Sequence, residues 1–278
     1  MINELRLTLS SGVPVADSAS SSFIYLTPYV GNRIELWDGA FWTIKRTSQV
    51  SIALSGLTAD TNYDIFAYHD ANLGVQLEFS IAWTGAGTRG LDIVRLDGVY
   101  VKATDHTRRY IGTFRAASAT TTVDSVLKRF LWNHHNQVER PLAVVDTTNS
   151  WTYLAPNSVW RQANASTANA FEYITGLSGM LTVEVRSLAF CSVAAAATRM
   201  AAVGISTFNT TFNQATLYGA QPNSTTLYMT LYATYRADHI GYKKVYWLET
   251  GSTAVDYTFA GDGGTTVGQT GMTGMISG

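Results

Sequence analysis

Residues 50–68, VSIALSGLTADTNYDIFAY, decide the fold class. Val50, Ile52 and Leu54 alternate with Ser51, Ala53 and Ser55, the two-residue period of a strand with one buried face. Residues 56–62 are a cluster of turn formers. Tyr63, Ile65 and Ala67 then alternate with Asp64, Phe66 and Tyr68. A tyrosine just past such a corner, behind Leu57, can bury its ring and bond its hydroxyl back to the loop, as a tyrosine corner does in β-sandwiches. Strand, tight corner, strand is the unit from which the whole chain is expected to be built.

The same signature extends in both directions. Residues 2–9 alternate, with Leu5, Leu7 and Leu9 on one face. Residues 12–22 read as a Ser-rich loop, and 23–27 and 33–37 as strands. Asp38-Gly39 and Asp97-Gly98 each lie between apolar-rich runs, the signal for a hairpin closed by a type I′ turn. Leu73-Gly74 marks a further hairpin between 63–68 and 75–83. Residues 108–114 read as a strand with Tyr110 and Gly112 on opposite faces. Residues 116–123, Ala, Ser and Thr up to Val123 and without period, read as a connection. Residues 124–137 fit either a helical face (Val126, Leu127, Phe130, Leu131) or a strand face (Val126, Phe130, Trp132, His134). The run Trp132 to His135 has low helix propensity, which favours the extended reading.

Beyond it, strands are expected at 142–145, 151–154, 169–175, 181–187, 200–206, 226–233, 243–248 and 255–259, with a loop at 194–197. The Gly-rich tail 261–278 is expected as irregular backbone packed by Met272, Met275 and Ile276. The resulting expectation is an all-β chain. An N-terminal small β-sandwich or barrel-like domain (1–117) leads through a connecting segment (118–140) to a C-terminal jelly-roll-like sandwich (141–278).

Composition narrows the function classes. Charged residues are 14% of the 278 and the formal net charge is −1. Lys and Arg form no run beyond adjacent pairs, which argues against nucleic acid as a partner. The polar surface must come from Ser, Thr, Asn and Gln; Thr alone contributes 36 residues and suits pleated surfaces. The single cysteine, Cys191, can form no internal disulfide and reads as a buried, inert thiol. No basic start followed by an apolar run opens the chain, and no window is apolar enough for a spanning helix. A soluble protein, made in a cytoplasm and without membrane insertion, is expected.

No residue is singled out as catalytic, cofactor-binding or metal-ligating. The histidines at 69, 106, 134, 135 and 239 lack convergent ligand spacing, and adjacent His134 and His135 would point to opposite faces of a strand. A glycosidase needs two converging carboxylates, and nothing selects a pair among Asp92, Asp97, Asp105, Glu172, Glu184, Glu249 and Asp256. Gly85-Ala86-Gly87 lacks the lysine and helix of a phosphate loop. One acid in Gly261-Asp262-Gly263-Gly264 is too few for calcium, so a turn is expected. The sequons at Asn164, Asn209 and Asn223 are put down to composition. Of the seven tryptophans at 37, 42, 83, 132, 151, 160 and 247, most are expected in the core and some at an interface.

The succession RLTLSSGVPV (6–15), IYLTPYVGNRIELWDGAFW (24–42), ALSGLTADTNYDIFAY (53–68), LDGVYVKATDHTRRYIGTF (96–114), KRFLWNHHNQVERPL (128–142) and the ending GDGGTTVGQTGMTGMISG resembles a group of tailed-bacteriophage virion proteins. The resemblance implies a non-enzymatic fibre, spike or head-decoration component. It implies a homotrimer in contact with other virion proteins, assembled in the host cytoplasm and resident in the virion. A receptor- or carbohydrate-binding tail protein and a small polysaccharide-degrading tailspike enzyme are the alternatives.

Overall fold

The computed structural model describes residues 1–154, 159–191, 199–208, 218–221, 227–251, 256–261 and 270–278. The chain is all-β and sandwich-like: 64% is strand and 1% helix. The described helical piece is the single 3-10 turn Ala163–Ala165.

In the N-terminal half, Leu5–Thr8, Phe23–Pro28 and Val50–Ala53 form a three-stranded antiparallel sheet. Facing it is a second sheet ordered Gly74–Phe79, Asn62–Asp70, Asp105–Arg115, Val99–Lys102, Ile93–Leu96. Leu5, Leu7, Ile24, Leu26, Ile65 and Phe114 fill the space between them. The tyrosine corner is present: Tyr63 is buried and its hydroxyl accepts the Thr58 amide at 2.8 Å. Asp97 (φ 50) and Gly98 (φ 86) both lie at positive φ, as a type I′ turn requires. The Asp38-Gly39 hairpin closes differently. Only Gly39 is at positive φ, the loop spans four residues between Trp37 and Trp42, and Asp38 Oδ1 accepts the amides of Ala40 and Phe41. An Asp side chain that ties its own turn replaces the tighter two-residue form. A register shift at Ile111 sets Tyr110 against Phe66 and Gly112 against Ile65, so the two do face opposite ways.

The C-terminal half is dominated by two strands, Ala170–Cys191 and Leu227–Gly251, paired antiparallel along nearly their whole length. The sequence expectation broke each into two, at Gly176–Gly179 and near Gly241. Both breaks are local irregularities inside a continuous ribbon: the register shifts between Thr175 and Gly179, and Gly241 sits at φ +84. The tail is corrected more sharply. Gly271–Ser277 is a strand pairing with both Glu139–Val145 and Ala170–Cys191. Met272 and Ile276 are buried there as expected, but Met275 on the other face is exposed. Leu142, Phe171, Val183, Val203, Trp247, Tyr257 and Phe259 are among the core residues.

The two halves are stitched together. The Ser-rich stretch expected as a loop contributes Ser18–Ser21, which pairs with Thr122–Ser125 in the C-terminal sheet. The connecting stretch 118–140 is extended, not helical. Lys128–Arg129 runs parallel to Ala170–Cys191, while Leu131–Asn133 pairs with Asp105–Arg115. A small cluster of Phe66, Tyr110, Trp132 and Ile174 draws on both halves. The side chain of Cys191, the loop at 194–197, the sequons at Asn209 and Asn223, and the Asp262 turn lie outside the described residues.

Candidate functional site

The most developed polar site lies where the halves meet, and it is built around Asp64. The strand Asn62–Asp70 is buried on both faces over its first six residues, so the carboxylate within that stretch, Asp64, has no route to water. Asp64 accepts from Thr113 Oγ1 at 2.6 Å, Trp83 Nε1 at 3.1 Å and Arg89 Nε at 2.8 Å. Burial pushes its pKa up, against the opposing pull of Arg89 and these donors. Arg89 lies over the rings of Trp83 and Tyr110 and donates to the Gly176 carbonyl across the junction.

A pocket of about 300 Å³ opens beside this network. It is lined by Asp60, Thr61, Asn62, Trp83, Thr84, Gly85, Ala86, Arg115 and Tyr242. The Gly85-Ala86 wall presses on the ribbon: the Ala86 carbonyl accepts the Tyr242 amide at 2.8 Å and Asn62 Nδ2 at 2.9 Å. A Cβ at Gly241 would lie 1.9 Å from that oxygen, so only glycine permits the approach. Arg115 stacks on Tyr242, 3.8 Å from its ring centroid, and the Tyr242 hydroxyl donates to Glu172 at 2.8 Å.

Two further buried carboxylates are similarly engaged. Asp124 faces Arg140 at 2.8 Å and Arg129 at 3.4 Å, and both arginines also reach Asp17 in the Ser-rich stretch. Burial outweighs these arginines and holds Asp124 up at about 6. Glu249 accepts from Trp151 Nε1 at 2.7 Å, Arg161 Nε at 2.8 Å and the Asn164 amide at 3.2 Å. Burial raises its pKa also, those donors opposing.

Of the carboxylates weighed in the sequence, Glu249 is the buried one just described and Glu172 touches the junction through Tyr242, while others lie apart. Asp97 receives Trp42 Nε1, Asp105 receives Thr107, and Glu184 pairs with Arg186. They are not brought together. His134 and His135 do not diverge as strand neighbours would. They sit in the bend after Leu131–Asn133 with ring centroids 4.5 Å apart, beside Arg109. Burial first, then the charge of Arg109, pulls them down to about 4 and about 3, so both are neutral. Among the described residues, no group of three His, Cys, Asp or Glu is placed to hold a metal ion. Trp83, Trp132, Trp151 and Trp247 are core, and Trp37 and Trp42 are half-exposed partners on one hairpin. Sequence reasoning missed Asp64, Arg89, Arg115 and Tyr242. The available signal was an aspartate in the middle of an otherwise apolar strand, since such a residue must be paired.

No family model matches the chain, and no curated protein does. Among solved structures, a tryptic core variant of Cry1Da from Bacillus thuringiensis is 10% identical over 92% of this chain and 47% of its own, with a TM-score of 0.16. The insecticidal delta-endotoxin Cry8Ea1 from the same organism is 8% identical over 99% and 52%, with a TM-score of 0.20. An exo-beta-1,3-galactanase from Phanerochaete chrysosporium is 10% identical over 99% and 68%, with a TM-score of 0.14. The chain spans about half the length of the two toxin structures. At these TM-scores nothing of those proteins' roles carries over.

Proposed function

We propose that this chain is a non-enzymatic structural component of a tailed-bacteriophage particle surface, a fibre, spike or decoration protein, and that it works as a homotrimer. The observation that carries the reading is the open-edged hairpin of Arg33–Trp37 and Trp42–Arg46. Among the described residues, Trp42–Arg46 pairs only with Arg33–Trp37, and no described strand lies along its outer edge. Along it lie the half-exposed Trp42 and the exposed Ile44 (52%), with Phe41 (73%) at the tip. An unpaired edge that exposes large apolar side chains, here beside Lys45 and Arg46, favours a partner that covers it. A sibling copy is the partner that the resemblance to virion proteins offers.

The buried carboxylates support the non-enzymatic part. Asp64, Asp124 and Glu249 are each taken up by arginine and neutral donors within the fold.

The test is light scattering after gel filtration. The expected mass is three times the 30.2 kDa of the chain. Replacing Phe41 and Ile44 together by Ser should release monomers with an unchanged far-ultraviolet spectrum. A wild-type monomer at micromolar concentration overturns the trimer, and absence of the chain from purified particles of its phage overturns the location.

A further inference from the structure

We infer that the junction pocket beside Arg115 is a binding site for a small hydroxylated ligand carrying an oxyanion, a carboxylate or a phosphate. The inference stands apart from the proposed particle role.

Arg115 is 92% buried yet incompletely used. Nη1 donates to Asn62 Oδ1 at 3.1 Å, and Nη2 reaches Asp60 Oδ1 at 3.4 Å. Nε has no partner. Charge-assisted pairs of this kind normally close to about 2.7–2.9 Å and use the guanidinium fork twice. Of the other buried arginines, Arg129 and Arg140 each reach an aspartate within 2.9 Å while Arg6 and Arg109 bond backbone carbonyls, whereas the one carboxylate near Arg115 stands at 3.4 Å. Asp60 therefore acts as a loose internal stand-in for a better ligand. Its side chain is 78% exposed, so it can swing out without losing packing. Its backbone holds a positive φ of 56°, and it lines the pocket from the corner loop.

The other walls define what accompanies the charge. Thr61 and Thr84 offer hydroxyls, while Trp83 and Tyr242 add ring edges; the Asn62 amide and the Ala86 carbonyl are already engaged with each other and with Arg115 and the Tyr242 amide. At about 300 Å³ the pocket stands at the small end for ligand sites, room for one ring. Glu172, behind Tyr242, lies near Lys128 and Lys244, so its charge does not set the sign of the site. Arg115 does.

The experiment is calorimetric titration of the full chain with glucuronate, glucose and inorganic phosphate in parallel, at concentrations up to about 10 mM. Glucuronate binding without glucose binding assigns a carboxylate; phosphate binding alone assigns a phosphate; both fit the inference. Asp60→Asn removes the internal competitor and should tighten binding about threefold, the worth of an exposed ion pair. Arg115→Gln should abolish binding. Because Arg115 also packs on Tyr242, Thr84→Trp is the second variant. Thr84 is exposed and its hydroxyl makes only contacts of 3.5 Å, so an indole there fills the pocket at little cost to folding. Equal binding of glucose, binding that survives Thr84→Trp, weaker binding in Asp60→Asn, or no heat from any anion each overturns the inference.

Discussion

Replacing Gly241 by Ala tests the junction most directly. Two costs are expected, and they can be separated. The first is backbone strain: at φ +84 an L-residue is disfavoured by roughly 1–2 kcal/mol. The second is contact. The new Cβ would lie 1.9 Å from the Ala86 oxygen and 2.7 Å from the Gly87 Cα, both backbone atoms that cannot rotate away. The loop must lift, and the Ala86 carbonyl then loses the Tyr242 amide and Asn62 Nδ2, worth about 1 kcal/mol each. The sum is about 3–4 kcal/mol, which for a chain of this size lowers Tm by roughly 6–15 °C. Gly98→Ala supplies the control. Gly98 has nearly the same φ, +86, but nothing lies within 4 Å of its virtual Cβ, so it carries the strain alone. Thermal unfolding of both variants, with hydrogen exchange at the Tyr242 amide, reads the difference. If Gly241→Ala is no worse than Gly98→Ala and the Tyr242 amide keeps its protection, the loop does not lock the ribbon.

Three further outcomes are expected. Tyr63→Phe should cost about 1 kcal/mol in chemical denaturation with an unchanged m-value, because only the 2.8 Å bond to the Thr58 amide is lost. Asp64→Ala should cost about 3–5 kcal/mol by leaving Arg89 uncompensated, while Asp64→Leu combined with Arg89→Met should recover most of it; additive costs in that cycle would show the pair to be uncoupled. Asp124 gives a pH signature. Its native value of about 6 lies above that of the unfolded chain, so the native state holds an extra proton between about pH 4 and 6, and stability from this group falls as pH rises through that window. The cost of Asp124→Asn should therefore be largest near pH 4 and shrink by up to about 3 kcal/mol by pH 7. A cost that grows with pH would mean that the arginines, and not burial, dominate.

What the sequence carried was local. Alternation placed the strands around Leu5, Ile65 and Val183, and turn chemistry placed the Asp97-Gly98 hairpin and the Tyr63 corner, because each depends on neighbours a few residues apart. It failed where a glycine has two uses. Gly176, Gly179 and Gly241 carry the composition of strand ends, yet they bend a ribbon that continues, since its partner strand supplies the hydrogen bonds on either side. The tail failed for the same reason: Gly271 and Gly274 leave room against Val144 and Phe171, contacts made by residues over a hundred positions away. The junction site was invisible because its parts, Asp64, Arg89, Arg115 and Tyr242, come from four separate segments and converge only in the folded chain.

The distribution of charge ties the fold to its proposed use. The chain is poor in charged residues, yet Arg6, Asp64, Arg109, Arg115, Asp124, Arg129, Arg140, Asp146 and Glu249 are all buried. Most of them act across segments. Arg6 bonds the carbonyls of Pro14, Asn136 and Gly278, Arg109 bonds those of Ile2 and Glu35, and Asp17 bridges Arg129 and Arg140. Apolar side chains would hold the halves together as well or better, but they tolerate sliding; a fork on a carbonyl or carboxylate accepts one register. With a formal net charge of −1, the charges left outside carry little net long-range repulsion. Under the proposed particle role, that internal register is what each copy would bring to a shared, repeating contact.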